Sequence, residues 1–312
     1  MYDKIKRNLK HPEKLVIKLG KISGLIPDKL YLKAYYYNVF GKKLDLKNPK
    51  TFNEKLQWLK LYDRRPEYTM MVDKYKVREY VAEQIGKEHL IPLLGVWDDP
   101  DEIDFDSLPN QFVLKCNHNS AVGMCICKDK DKLNIDEVKN QLRDGLSKDY
   151  YLSGREWPYK NVPRKIICEK YMMDSENKDL PDYKIHSFNG IPKVILICSK
   201  RFQEDGLHED FFAENWRKLD LKRPGCPNST QTIEKPKELI EMIKFSEKLS
   251  KDIPFVRTDF YVVDGKIYFG ELTFYPASGL ERFIPDKWDE TFGDWIKLPV
   301  LDYKNASGGG IQ

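Results

Sequence analysis

Apolar and polar positions follow two rhythms along this chain. Over the first seventy residues, Leu30, Leu32, Tyr36, Val39 and Phe40, then Phe52, Leu56, Leu59 and Leu61, recur at mixed helical spacings, which predicts a separate helical lobe over residues 1–72. A further helix is expected from Asp73, whose side chain can cap it, through Tyr80 toward Gly86, followed by a short strand over Leu90–Leu94. Beyond an acidic loop from Asp98 to Asp106, Phe112–Cys116 reads as a buried strand, Asn117–Gly123 as a turn-rich loop and Met124–Cys127 as a returning strand.

Asn134–Tyr151 has amphipathic helical spacing, and Lys165–Tyr171 is an apolar strand ending in a polar insertion, Asp174–Asp182. Strands then dominate. Tyr183–Phe188 and Lys193–Ser199 flank Asn189-Gly190, a strong hairpin signal, and Leu239–Leu249 supplies the last long helix. A final hairpin starts at Phe255, its two aromatic-rich arms flanking Asp264-Gly265. The glycines of the tail, Ser307–Gly310, precede no helix, so a phosphate-loop reading fails and residues 305–312 read as a flexible end.

Composition narrows the class. A chain of 312 residues with 41% hydrophobic content can bury a substantial core in two to three subdomains. The net charge is +4, but the first sixty residues hold 15 Lys or Arg against 5 Asp or Glu, leaving the remainder at −6. Such a basic segment suits an anionic membrane face or an acidic polymer, a solvated helix surface being the commoner account, and no nucleic-acid partner is expected. The runs Leu15–Leu19 and Leu25–Leu32 are interrupted by lysines, and no run approaches the roughly 20 apolar residues of a membrane helix. With no cleavable leader apparent, a cytoplasmic protein is expected, at most resting on the inner membrane face through its N-terminus. Cys116, Cys125, Cys127, Cys168, Cys198 and Cys226 lack the paired spacings of a zinc site and read as reduced thiols.

Candidate chemistry concentrates in the last hairpin. Asp259 and Glu271 lie on opposite arms at nearly equal distances from the turn, so their carboxylates can meet across the pair, with Arg257 on the face of Asp259. Two carboxylates suit magnesium shared with substrate phosphates; the alternative is an exposed hairpin with surface ion pairs. Lys115 ends a strand beside the loop Asn117–Met124, whose backbone N–H groups and Ser120 can wrap phosphates. His118 has no second histidine at ligand spacing, so it stabilises the loop or contacts substrate. Asp182-Tyr183-Lys184 adds an acid and a base where the next strand begins, and Lys200 and Arg201 are candidates to hold an anionic acceptor.

In order and spacing, residues from about 73 to 280 resemble the ATP-grasp ligases, which implies an α+β, ATP-grasp fold of two subdomains, 73–170 and 171–304, clasping ATP. Asp73-Lys74-Tyr75-Lys76-Val77-Arg78 is similar to the family's opening helix, with Arg78, then Lys74, as the residue that reaches the nucleotide. Lys115 resembles the lysine that binds the α/β phosphates, and Ser120–Met124 resembles the lid loop. Glu169-Lys170-Tyr171-Met172 resembles the hinge that contacts adenine, with Glu176 or Asp182 as the ribose acid and Lys184 beside it. Arg257, Asp259, Glu271 and Thr273 resemble the set that holds two Mg2+ ions and the γ-phosphate, although most of these ligases carry asparagine where Thr273 stands.

Asn48–Lys55, Asp182–Gly190 and Glu271–Pro276 narrow the resemblance to the teichuronopeptide-biosynthesis (TupA-like) ATP-grasp proteins of bacterial surface-polysaccharide synthesis, over nearly the whole chain. The implied reaction joins an amino acid or amine to the carboxylate of a sugar acid, free or in an oligosaccharide, through an acyl phosphate. Arg257 and Lys115 would be its catalytic cations, and the backbone near Gly279 would face the tetrahedral intermediate. The rivals are a glycosyltransferase, for which Asp104-Phe105-Asp106 formally offers a metal-binding DxD, a non-catalytic binding module, and a sugar kinase, although no HRD or DFG segment is present.

Overall fold

The computed structural model describes residues 11–120, 122–174, 180–199 and 206–300. Two antiparallel sheets organise them. The first runs in the order β1 (Leu93–Trp97), β4 (Ile166–Lys170), β2 (Phe112–Cys116), β3 (Met124–Cys127). The second runs β7 (His208–Ala213), β6 (Ile191–Ser199), β5 (Asp182–Phe188), β8 (Phe255–Val263), β9 (Lys266–Thr273). This mixture of helices and antiparallel sheets is the expected α+β class.

Each sheet has its own core. Phe112, Leu114, Ile166 and Cys168 pack with Val138 and Leu142 of α6 (Ile135–Ser147) under the first sheet. Ile185, Val194, Phe255, Val256 and Phe260 pack with Leu239, Met242 and Leu249 of α8 (Leu239–Leu249) under the second. The N-terminal helices α1 (Pro12–Ile22), α2 (Asp28–Phe40) and α3 (Phe52–Tyr62) join this second core, so the separate lobe expected for them does not form. Phe52 decides this: its ring lies 4.9 to 6.3 Å from Phe255, Phe292, Phe283 and Phe188. Helix α3 begins there because Thr51 and Glu54 form a reciprocal capping box.

Several boundaries differ from the sequence pattern. Asp73 caps a turn, accepting from the N–H of Tyr75 (2.8 Å) and Lys76 (3.3 Å), and α5 (Val77–Ile85) starts only after it. The first strand begins at Leu93 rather than Leu90, because the Pro92 carbonyl accepts from Lys170 N–H and Leu90 instead bridges Phe269 of β9. The helix expected over Asn134–Tyr151 stops at Ser147 and resumes as the short α7 (Tyr150–Gly154). Strand β7 and α9 (Lys287–Trp295) have no counterpart in the sequence pattern. All six residues of β7 are buried although three are polar, since Glu209 pairs with Arg223 (2.8 Å) and Asp210 with Lys218 (2.7 Å).

Both hairpin turns take the left-handed conformation their sequences favour: Asn189 and Gly190 at φ 50° and 79°, Asp264 and Gly265 at 49° and 73°. The second hairpin also carries a bulge. From the turn, Val263 pairs with Lys266 and Phe260 with Phe269, but Asp259 pairs with Glu271, so Gly270 is the extra residue. In an unbulged ladder Asp259 would face Gly270, and Glu271 would point to the opposite side. The bulge therefore places Glu271 across from Asp259. Among the described residues, no helix is long and apolar enough to cross a membrane. The six cysteines are free thiols, four of them buried.

Candidate active site

Three strands of the second sheet bring six functional side chains into two rows. Lys184 on β5, Asp259 on β8 and Glu271 on β9 are cross-strand partners, and His186, Arg257 and Thr273 form the row beside them. Arg257 forks onto Asp259, Nε to Oδ1 at 2.6 Å and Nη2 to Oδ2 at 2.7 Å, and Nη2 also reaches Thr273 Oγ1 (3.1 Å) and Glu271 Oε1 (3.3 Å). Lys184 Nζ donates to Asp259 Oδ2 and lies 3.3 Å from Asp182 Oδ2. Burial would raise the Asp259 carboxyl, but Arg257 and Lys184 outweigh it and hold the group below the usual carboxylate range. His186 is pushed down to about 3 by burial and then by the Arg257 and Arg223 charges, so it is a neutral imidazole.

The facing cluster comes from the first sheet. Glu169 on β4 accepts Lys115 Nζ at 2.6 Å on Oε2 and Arg78 Nη1 at 3.4 Å on Oε1. Lys74 bridges the two clusters: its Nζ donates to Asn119 O (2.7 Å) and lies 3.9 Å from Glu271 Oε2. Burial lowers the Lys74 ammonium, opposed chiefly by Glu271. The result is a cleft between the sheets with five cations, Arg78, Lys74, Lys115, Lys184 and Arg257, on four carboxylates.

Placement of the other candidates is uneven. Asn117 anchors the loop after β2 to Asp73 and Pro163 (2.8 Å each), and Asn119 anchors it to Gly145 O (3.0 Å), leaving Ser120 exposed at its tip. His118 is buried with Nε2 3.2 Å from Lys148 O, a loop-stabilising position. Lys170 ends β4, and Tyr171 and Met172 follow it in sequence. Glu176, Lys200, Arg201, Ala121 and the 305–312 tail lie outside the described residues. Asp104 and Asp106 are exposed on a turn where Asp104 Oδ1 accepts Asp106 N–H at 3.2 Å, while Phe105 is buried.

Sequence periodicity missed a buried polar face. Helix α3 presents Asn53, Gln57 and Lys60 beside its apolar stripe, all three at most 1% exposed. They hold the loop that follows Thr273: Asn53 Nδ2 donates to Glu281 O (2.8 Å), Gln57 Nε2 to Gly279 O (2.6 Å), and Lys60 Nζ to Ser278 O and Gly154 O (2.7 Å each). Ser278 Oγ in turn donates to Glu156 Oε1 (2.7 Å). Ala277, Ser278 and Gly279 are all left-handed, and a Cβ on Gly279 would sit 2.6 Å from Gln57 Nε2. Burial pulls Lys60 down to about 8 against the opposing charge of Glu156, and burial raises Glu156. Tyr150 and Tyr159, rings 4.7 Å apart, close this side within electrostatic reach of Glu271 and Arg257. The only trace in the sequence is the charged pair Arg155-Glu156 within an aromatic run.

A divalent cation fits part of this set. Glu271 is a third exposed, and its Oε2 has only Lys74 near it, whereas both Asp259 oxygens already accept protein cations. Thr273 is engaged as well, donating to Glu271 Oε1 at 3.0 Å while accepting from Arg257. Among the described residues no three His, Cys, Asp or Glu side chains form a metal cluster on their own, so phosphate oxygens would have to complete the coordination.

The model of a family described as TupA-like ATPgrasp matches residues 54–297. Among solved structures, the chain is similar to D-alanine–D-alanine ligase from Bacillus anthracis complexed with ATP, at 18% identity and TM-score 0.41 over 65% of this chain and 55% of that one. It is also similar to the D-alanine–D-alanine ligase from Helicobacter pylori (15%, TM-score 0.42, 80% and 70%). A third is the ATP-grasp ligase PsnB complexed with minimal precursor, Mg and ADP (13%, TM-score 0.40, 71% and 57%). The chain spans little more than half the length of the first and third of these. A search of curated proteins finds no match.

Proposed function

Because the chain belongs to the TupA-like ATP-grasp family, we propose that it is an ATP-dependent carboxylate–amine ligase that works through an acyl phosphate. The observation that carries this reading is the two-row grid of Lys184, Asp259, Glu271 and His186, Arg257, Thr273, set against the Lys115–Glu169–Arg78 cluster with Lys74 between them. A non-catalytic module has no use for so many desolvated charges at one cleft.

In this reading Lys115, Arg78 and Lys74 take the polyphosphate of ATP, with Ser120 closing over it and the Lys170–Met172 segment and Asp182 beside the nucleoside. Glu271, with Asp259, would hold Mg2+, which supplies charge neutralisation on the phosphates. The substrate carboxylate oxygen attacks the γ-phosphorus and ADP leaves. The amine nitrogen then attacks the acyl carbon, inorganic phosphate departs, and the nitrogen loses its proton. Arg257 is fixed by Asp259, so it can face developing negative charge in both steps without reorganising. The loop Pro276–Gly279, held by α3, lies on the acceptor side, where Gly279, Lys200 and Arg201 are proposed to face substrate.

The carboxylate is proposed to be a sugar acid, free or within an oligosaccharide, and the amine an amino acid or simple amine, in bacterial surface-polysaccharide synthesis, drawing on cytoplasmic ATP. The test is an ADP-release screen of uronic acids, their nucleotides and oligosaccharides against amino acids and amines, with mass detection of product. ADP release that needs Mg2+, a carboxylate and an amine together supports the ligase. A stable phosphosugar formed without amine makes the protein a kinase, and activity that survives Asp259→Asn with Glu271→Gln sinks both.

A further inference from the structure

Helix α1 has two apolar faces, and the protein covers only one of them. Ile17 and Gly20 pack inward, a Cβ on Gly20 would lie 2.3 Å from the Tyr31 ring, and the Gly20 carbonyl accepts Arg155 Nη2 at 2.9 Å. About half a turn around the helix, Leu15, Leu19 and Ile22 form an i, i+4, i+7 stripe that is 44%, 47% and 73% exposed. The stripe continues into Leu25, 89% exposed at the turn between α1 and α2, and Leu30, 49% exposed on α2. Exposed Lys14, Lys18, Lys21, Lys29 and Lys33 surround these side chains. The carboxylates on the same two helices are already engaged: Glu13 with His11 (3.1 Å) and Asp28 with Arg64 (2.7 Å) and Arg155 (3.4 Å).

We propose that this face is a peripheral-membrane surface that seats on anionic phospholipid, the leucines and Ile22 entering the headgroup boundary and the lysines pairing with lipid charge. An apolar stripe edged by lysine is the pattern of a helix lying in an interface, where apolar burial and attraction to anionic lipid add. A second copy of the chain is the poorer occupant. A two-fold contact through this stripe sets each lysine row against the same row of its partner, a like-charge arrangement that opposes association. Helix α1 is also a fixed platform, since Arg155 binds it and is itself fully buried between Tyr31 and Tyr151, ring centroids 4.5 and 5.3 Å from the guanidinium. The proposal stands apart from the ligase reading and survives its failure.

The experiment is co-sedimentation of the full chain with vesicles of phosphatidylglycerol and phosphatidylcholine against vesicles of phosphatidylcholine alone, at low and high salt. The wild type is expected to pellet with the anionic vesicles and to be released in part by salt. Leu19→Gln, Ile22→Gln and Leu25→Gln together should cut the partition by about tenfold or more while thermal unfolding stays unchanged, because all three side chains are exposed. Lys14→Gln, Lys18→Gln and Lys21→Gln together should abolish the preference for anionic lipid. The proposal is overturned if the wild type stays in the supernatant with both vesicles, or if the apolar variant pellets as the wild type does. A dimer in sedimentation velocity that the apolar variant returns to monomer would also overturn it, making the stripe a contact between copies.

Discussion

Lys184 and Asp259 are direct cross-strand partners joined by an ion pair, and Arg257 grips the same carboxylate with both arms of its fork. Three charges thus share one site that is almost wholly desolvated, and their removal should not be symmetric. Asp259→Asn removes the carboxylate that two buried cations share, leaving Lys184 only Asp182 and Arg257 only Glu271, each at 3.3 Å, and should cost about 3 kcal/mol in urea unfolding. Lys184→Met leaves the Arg257–Asp259 pair intact and should cost clearly less. If the order is reversed, Lys184 rather than Arg257 is the cation that keeps Asp259 charged.

The bulge at Gly270 makes a sharper statement about the site. A Cβ at this position lies 3.1 Å from Asp259 O, against backbone that cannot yield like a flexible side chain. Deleting Gly270 restores a regular ladder from the turn outward, in which Phe269 still pairs with Phe260 and Glu271, now next after Phe269, still faces Asp259. A folded deletion variant should therefore show cooperative unfolding and keep Mg2+-dependent ADP release, because Asp259 still faces Glu271 and Arg257 still faces Thr273. Loss of activity in a folded deletion would mean that the local twist of the bulge, and not the pairing alone, sets Glu271.

What the sequence revealed and what it hid follow from the range of the interactions. The Asn189-Gly190 and Asp264-Gly265 turns are local signals, and both hairpins form where those signals lie. The meeting of Asp259 with Glu271 was visible because counting outward from one turn nearly suffices; the unequal count, five residues against six, was itself the trace of the bulge. Lys60 and Gln57 were invisible because their partners, Gly154, Ser278 and Gly279, are distant in sequence and bind through backbone carbonyls that carry no residue signature. Strand β7 was missed for a related reason: Glu209 and Asp210 read as solvated until Arg223 and Lys218 are seen to neutralise them.

Buried His186 should shape the acid limb of stability. Its folded value of about 3 lies below the ordinary 6.5, so between these pH values the unfolded chain binds a proton that the folded chain refuses. Stability from this group is therefore complete above pH 6.5 and falls as the pH drops toward 3, by up to about 1.4 kcal/mol per pH unit. Urea unfolding at pH 4, 5, 6 and 7 should show that slope in the wild type and a shallower one in His186→Leu. Identical slopes would place the acid limb elsewhere, for instance at His118, which burial also holds below the ordinary imidazole value.

The α3 struts separate positioning from stability. Gln57→Leu removes the donor to Gly279 O while Lys60 still holds Ser278 O, so the left-handed turn at 277–279 loses one of its two anchors. The fold should weaken by about 1 to 3 kcal/mol, the cost of an orphaned buried carbonyl. If that turn lines the acceptor site, the KM for the acceptor should rise several-fold with the KM for ATP unchanged, since Lys115 and Glu169 belong to the other sheet and Arg78 to α5. Equal changes in both would show that α3 supports the whole cleft rather than the acceptor side.

Thr273 links Arg257 to Glu271 by accepting from one and donating to the other, at 3.1 and 3.0 Å. A hydroxyl in that role fixes the Glu271 carboxylate without itself pointing at a cation, so the residue should act through Glu271. Thr273→Val keeps the shape and the strand preference but removes both hydrogen bonds, leaving Arg257 held by Asp259 and Glu271 Oε1 with only the longer Arg257 Nη2 contact of 3.3 Å. Calorimetric titration should find ATP affinity without Mg2+ nearly unchanged and the enhancement by Mg2+ reduced by about three- to tenfold, the loss expected for one hydrogen bond to a charged group. Thr273→Ser, which keeps the hydroxyl, should restore most of the enhancement. Should the valine variant respond to Mg2+ as the wild type does, Glu271 is oriented by its backbone and by Arg257 alone.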